Sequence, residues 1–313
     1  MSVWYQRGNQ RRFHRLDMPI KLLVLPKDRP RGKPIFHWGI DYFPPSVEVE
    51  IRTCRQLLKE HISQIQAHQD LMQALFFEAM AQIEFFGELT RMIAFGEHPL
   101  CQAQNLHKFK SFFQGFDCLQ TIFEPAPRTY ELFKEIEDKN KQMLQAVYRV
   151  LHQASSSKIT TCLPSDFKID QSMMSLQAND SKNDQYVPLR EALIKLVDYQ
   201  NLYYRAWQEM MLDLQWERPP KQWQEQVVNV STGGVALKVP KRFPPLSHVN
   251  LKLYFPRIGV LEFEGSVVMQ KSMPNEGKER IAINFEFPTQ AQQIALRTEM
   301  ELFELQSAVE VFT

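Results

Sequence analysis

Four arginines fall within nine positions near the start of the chain, at Arg7, Arg11, Arg12 and Arg15. Arg7 and Arg11 are four apart, as are Arg11 and Arg15. Guanidinium groups held this close can clamp a phosphate through paired N–H donors and stack on a purine ring. Far along the chain, Asn229-Val230-Ser231-Thr232-Gly233-Gly234 interrupts two runs of alternating apolar residues. There an amide, a hydroxyl and two glycines offer hydrogen bonds, and backbone conformations forbidden to other residues let a ligand or another chain approach closely. Taken separately, the arginines read as a solvated basic terminus and the second stretch as a plain β-turn. Whether the fold brings the two stretches together decides between these readings and a shared site.

Other chemistry has little footing. No HExxH, GxSxG, P-loop or GxGxxG occurs, so the reading is of a binding protein and not an enzyme. The four cysteines, at 54, 101, 118 and 162, have wide spacings without a CxxC, which argues against a zinc site or a disulfide framework. His61 and His68 lie seven apart on one helical seam. They can bridge a metal across an interface, but polar seam residues more commonly set helix register, and no metal is expected.

Elements must bring the two halves together. Ile20-Lys21-Leu22-Leu23-Val24-Leu25, stopped by Pro26, reads as a strand immediately after the arginines. From position 46 the pattern turns helical. Ile51, Leu58, Ile65, Met72, Ala79, Phe86 and Ile93 recur every seventh residue, with Gln82 among the polar residues of the same seam. This predicts one long coiled-coil-like helix over about 47–95, spanning about 70 Å at 1.5 Å per residue. Such a length favours a homo-oligomer joined through it. Further helices are expected at about 100–120, 127–153 and 187–214, with a polar loop over 155–184.

After Pro219-Pro220 the period changes to two. Val235, Leu237 and Val239, then Val249, Leu251, Leu253 and Phe255, alternate with polar neighbours, as do Leu261, Phe263, Val267 and later Ile281 and Ile283. This predicts antiparallel strands closing as a small barrel, with a helix at about 289–308. The barrel is one strand short, and 20–25 is the candidate to complete it. The expected organisation is therefore α+β. An arm and first strand occupy 1–25, a helical insertion 26–218, and the rest of a small antiparallel β-barrel with its C-terminal helix 219–313.

At this point the chain resembles the PilZ domain family, whose signature is RxxxR before the first strand and [D/N]xSxxG at the end of a later one. Arg11-Arg12-Phe13-His14-Arg15 is similar to the first half and Asn229-Val230-Ser231-Thr232-Gly233-Gly234 to the second. Arg280-Ile281-Ala282-Ile283-Asn284-Phe285 and the closing helix are similar to the family's last strand and helix. The resemblance covers 8–25 and about 222–308, with an unusually long separation between the two halves. It implies a receptor for cyclic di-GMP in bacterial signalling. Arg11 and Arg15 would take phosphates and guanine O6/N7, Asn229 a guanine edge or ribose, and Ser231 a hydroxyl contact. Gly233 and Gly234 would give close approach, with Arg7 and Arg12 adding charge or stacking. The alternative is a nucleotide-independent oligomeric scaffold, for example in type IV pilus or motility machinery.

Composition sets the remaining bounds. Lys and Arg (37) nearly cancel Asp and Glu (36), so no overall basic field points to nucleic acid. No apolar run reaches the ~20 residues of a membrane span, and the first residues lack the apolar core of a secretory signal. A cytoplasmic protein with an unidentified protein partner is expected.

Overall fold

The computed structural model describes residues 14–66, 68–124, 126–163 and 187–312. Arg7, Arg11 and Arg12 lie outside the described residues, as does most of the expected 155–184 loop.

The alternating apolar runs form six strands: β1 (Leu16–Pro26), β2 (Glu225–Ser231), β3 (Gly234–Val239), β4 (His248–Phe255), β5 (Gly259–Met273) and β6 (Lys278–Glu286). They close in the order β1-β2-β3-β6-β5-β4, every neighbouring pair antiparallel. Alternate residues point inward, so Ile20, Leu22, Val24, Val230, Leu237, Leu251, Leu253, Phe263 and Ile283 fill the barrel. β1 closes the gap: it pairs with β2 from Leu16↔Val230 to Lys21↔Glu225 and with β4 from Lys21↔Tyr254 to Pro26↔Val249. Without it β2 and β4 would expose two unpaired edges. The last helix, α6 (Gln290–Phe312), runs slightly longer than expected and buries Leu296 and Met300.

Between β1 and β2 lie α1 (Pro45–Ser63), α2 (Gln69–Ala94), α3 (Ala103–Gln114), α4 (Pro127–His152) and α5 (Val187–Leu214). The one helix expected over about 47–95 is instead two. α1 ends at Ser63, whose hydroxyl turns back to Glu60 O (2.7 Å), and His68 then takes a left-handed φ of 49° before α2 starts. The helices run back along each other: Arg55 Nε meets Glu84 Oε1 at 3.1 Å, and Arg91 pairs with Glu48. The seven-residue repeat crosses the turn unbroken because Ile65 stays buried inside it, at 4% exposure. A heptad repeat requires a facing helix, and here that helix comes from the same chain. The 70 Å rod, and the argument for self-association built on its length, therefore fall away.

α5 is the hub of the helical region. Gly87 of α2 lies so close to the Tyr203 ring that a Cβ there would overlap it. Three buried amides tie the helices in register. Asn140 Nδ2 donates to Gln82 Oε1 at 3.2 Å, and Gln200 Nε2 donates to Asn140 Oδ1 at 2.7 Å. Gln82 is thus a register residue between helices of one chain.

The helical region grips the barrel at the end where β3 stops and β6 starts. Lys241, just past β3, reaches Asp213 at the end of α5 with Nζ–Oδ1 2.6 Å and Nζ–Oδ2 2.8 Å. The Tyr42 hydroxyl donates to the same carboxylate at 2.9 Å. Glu279 of β6, fully buried, accepts from the N–H of Ser46 at the start of α1 (3.3 Å) and from Ser272 Oγ (2.9 Å). A carboxylate at a helix N-terminus satisfies orphan N–H groups and opposes the helix dipole. Among the described residues, no helix is long and apolar enough to cross a membrane.

Candidate functional site

The antiparallel register decides what Arg15 meets. Asp17 of β1 lies opposite Asn229 of β2, and Leu16 opposite Val230. Arg15, one residue before β1, therefore enters beside Asn229. Its Nη1 donates to Asn229 Oδ1 at 3.3 Å, joining residues 214 apart in sequence. The Asn229 amide is held from its other end too, with Nδ2 donating to Asp17 Oδ1 at 2.8 Å. A guanidinium and a carboxylate thus flank one amide on the outer surface of the barrel, with both charged residues exposed.

The turn beyond Asn229 is a two-residue connection, Thr232-Gly233, closed by the Ser231↔Gly234 pair. Ser231 is buried, at 3% exposure. Its hydroxyl donates to Gly234 O at 3.1 Å and accepts from Gly233 N–H at 3.4 Å, so it is committed to shaping the turn. Neither Gly233 nor Gly234 takes a left-handed φ, contrary to the backbone freedom expected for them. Gly234 is instead a matter of space: a Cβ there would overlap the carbonyl oxygen of Ile283 on β6. The Phe285 N–H donates to Gly233 O at 3.0 Å and fixes the turn against the same strand.

A groove of about 550 Å³ opens beside this turn. His14, Leu16 and Thr232 form one wall, and Arg297, Met300 and Glu304 of α6 belong to the other. Its size suits a small-molecule ligand. Two basic side chains of its described walls have partners: His14 Nε2 lies 3.3 Å from Glu304 Oε1, and Arg297 Nε lies 2.7 Å from Glu301 Oε1. All four side chains are more than half exposed, which makes these weak pairs that an incoming anion can displace.

Of the residues singled out in the sequence, Arg15, Asn229, Ser231, Gly233 and Gly234 gather at the turn end of the β2–β3 hairpin, whereas Arg7, Arg11 and Arg12 lie outside the described residues. Asp17 and the groove residues of α6 went unread. Asp17 was recoverable in principle, because pairing β1 with β2 places it across from Asn229. Arg297, Glu301 and Glu304 sit on an ordinary amphipathic helix and carry no sequence signal. Among the described residues, no group of three or more His, Cys, Asp and Glu could hold a metal ion, and His61 and His68 join no such group.

No curated protein and no solved structure matches the chain. The family model for the PilZ domain matches residues 202–301, from within α5 to within α6. That span holds β2 to β6 and the Asn229–Gly234 turn, while β1 joins the same barrel from before the helical region. The chain contains a PilZ domain, and its barrel is closed by a strand that lies outside the matched residues.

Proposed function

We propose that this chain is a cyclic di-GMP receptor whose helical region passes nucleotide occupancy to a protein partner. The observation that carries the reading is the hydrogen bond from Arg15 to Asn229, which brings the two signature halves together across the β1–β2 pair. Arg15 releases Asn229 and binds a ligand phosphate or guanine O6/N7, and Asn229 turns to a guanine edge or ribose hydroxyl. Arg11, and Arg7 and Arg12 beside it, supply further guanidinium groups. Ser231, Gly233 and Gly234 contribute by shape, holding the turn flat against β6 so that the ligand can lie over it. The role is binding, without catalysis and without a metal or cofactor, in the cytoplasm.

The helical region is the output. Exposed Phe113 and Tyr148 flank Phe109, with ring centroids 6.0 and 6.2 Å from it, on a face suited to a second copy of the chain or another protein. Whether copies associate is read from the solution mass by light scattering, without and with the nucleotide.

A second reading is favoured by one observation. Both ends of the Asn229 amide are already satisfied within the chain, by Arg15 and by Asp17, as they would be in a scaffold that has no nucleotide to bind. Isothermal titration of the full chain with cyclic di-GMP separates the two. Saturable binding that weakens at least ~10-fold in Arg15→Ala supports the receptor, since hydrogen bonds to charged groups contribute about 1.5–3 kcal/mol. No heat with the wild-type chain, or equal affinity in the variant, sinks it.

A further inference from the structure

We propose that Asp17 is a specificity determinant of the nucleotide site, accepting hydrogen bonds from the N1–H and 2-amino group of a guanine. This rests on the cyclic di-GMP reading above and extends it to a residue outside both signature halves.

Asp17 is exposed on β1, opposite Asn229, and Asn229 Nδ2 donates to its Oδ1 at 2.8 Å. That bond occupies one of about four lone-pair sites on an ionised carboxylate, leaving acceptor capacity at the surface. Arg15 holds the same amide from the other end, at 3.3 Å. Arg15 and Asp17 are two apart, so the alternation of an extended chain also turns them to the same side.

A carboxylate at a site for a doubly anionic ligand opposes binding through like-charge repulsion. The sign reverses only where it meets a donor edge of that ligand. Guanine has such an edge: N1–H and the 2-amino group lie side by side and match the two oxygens of a carboxylate. On the neighbouring edge, O6 and N7 are both acceptors and match a guanidinium. Adenine offers an acceptor at N1 and a donor at N6, so it suits neither partner in the same way. The Arg15–Asn229–Asp17 row is therefore complementary to guanine and selects against adenine.

The test is calorimetric titration of the full chain with cyclic di-GMP and with cyclic di-IMP, which lacks the 2-amino group. Wild type, Asp17→Asn and Asp17→Ala are compared. Asparagine keeps the shape of the side chain, and matching thermal melts check that both variants remain folded. The wild-type chain should prefer cyclic di-GMP by about 10-fold. Both variants should lose about 10- to 100-fold for cyclic di-GMP and much of that preference. If the variants weaken both ligands equally and keep the preference, or bind as wild type does, Asp17 merely holds Asn229 and the inference is overturned while the receptor reading stands. A wild-type chain that binds neither nucleotide overturns the receptor reading, and this inference with it.

Discussion

Replacing Lys241 by methionine tests what fastens the helical region to the barrel. The Lys241 and Asp213 side chains keep only 10% and 5% of their exposure, and the ammonium touches both carboxylate oxygens, at 2.6 and 2.8 Å. Glu209 stands 3.8 Å away as a second, looser counter-charge. Methionine fills similar space but leaves the Asp213 carboxyl in the interior without the ammonium, with the Tyr42 hydroxyl still donating to it at 2.9 Å. Removing one member of a buried ion pair typically costs about 3–5 kcal/mol. The hydrogen bond from Tyr42 offsets part of this, so about 3 kcal/mol is expected. Urea unfolding followed by the fluorescence of Trp207, buried in α5, measures the loss. The variant Lys241→Met/Asp213→Leu should recover much of it, because an apolar pair of similar volume leaves no stranded charge. The deficit should also shrink in acid. Burial already pushes the Glu209 carboxyl up while Lys241 pulls it back down, so its pKa rises further when the lysine is lost. An acid with a raised folded pKa costs stability in full above that folded value, and the cost fades as pH falls from there towards the unfolded value near 4.5. A loss under about 1 kcal/mol in Lys241→Met, or a double variant as unstable as the sum of the single ones, would refute the assignment of a latch.

Two further expectations follow from the packing. Gly234→Ala puts a methyl group against the Ile283 carbonyl, part of the rigid β3–β6 ladder, and should cost about 1–3 kcal/mol in chemical unfolding; wild-type stability would mean that the two strands can separate freely. Burial pushes the Glu137 carboxyl up, but Lys134 (2.6 Å), Lys141 (2.8 Å) and the Phe116 N–H (2.7 Å) outweigh it and hold it below its usual range. Its contribution is then complete above the unfolded value of about 4.5 and is lost as pH falls through the lower folded value. Glu137→Gln should cost about 1–3 kcal/mol at neutral pH and flatten the stability curve of the chain in acid; an unchanged acid limb would contradict the assignment.

The barrel was legible because a half-buried strand writes its own period. Val249, Leu251, Leu253 and Phe255 alternate in sequence as they alternate in burial. The missing strand could be sought because the others left a gap. α4 and α5 fell close to their expected bounds for the same reason, each with an apolar stripe of helical period. The α1–α2 turn was hidden. A heptad repeat records which face is buried but not the direction of the chain, and Ile65 keeps the count running through a turn that contains neither glycine nor proline. In the candidate site, Arg15 and Asn229 were singled out by residue type and spacing, and the structure joins them by a hydrogen bond. Asp17 depends on a strand pairing between residues 212 apart, which no local window contains. At Gly234 the close approach expected of a ligand or chain is that of the β6 backbone, without the left-handed backbone freedom expected beside it.

The position of β1 has a consequence for synthesis. Ile20, Leu22 and Val24 are made well before the strands that cover their flanks, which start at Glu225 and His248. At a typical ~5–20 residues per second, the 214 residues between Arg15 and Asn229 take roughly 10–40 s to emerge. During that interval an apolar strand waits with both edges open, as templates for pairing with another nascent chain. The helices between are built from local contacts and can fold while it waits. Once the helices are in place, Tyr42 on one side of the gap and Asp213 on the other meet, and the chain that must close around β1 is effectively far shorter. The helical region therefore also works as a folding jig, delivering the last-made strands to the first.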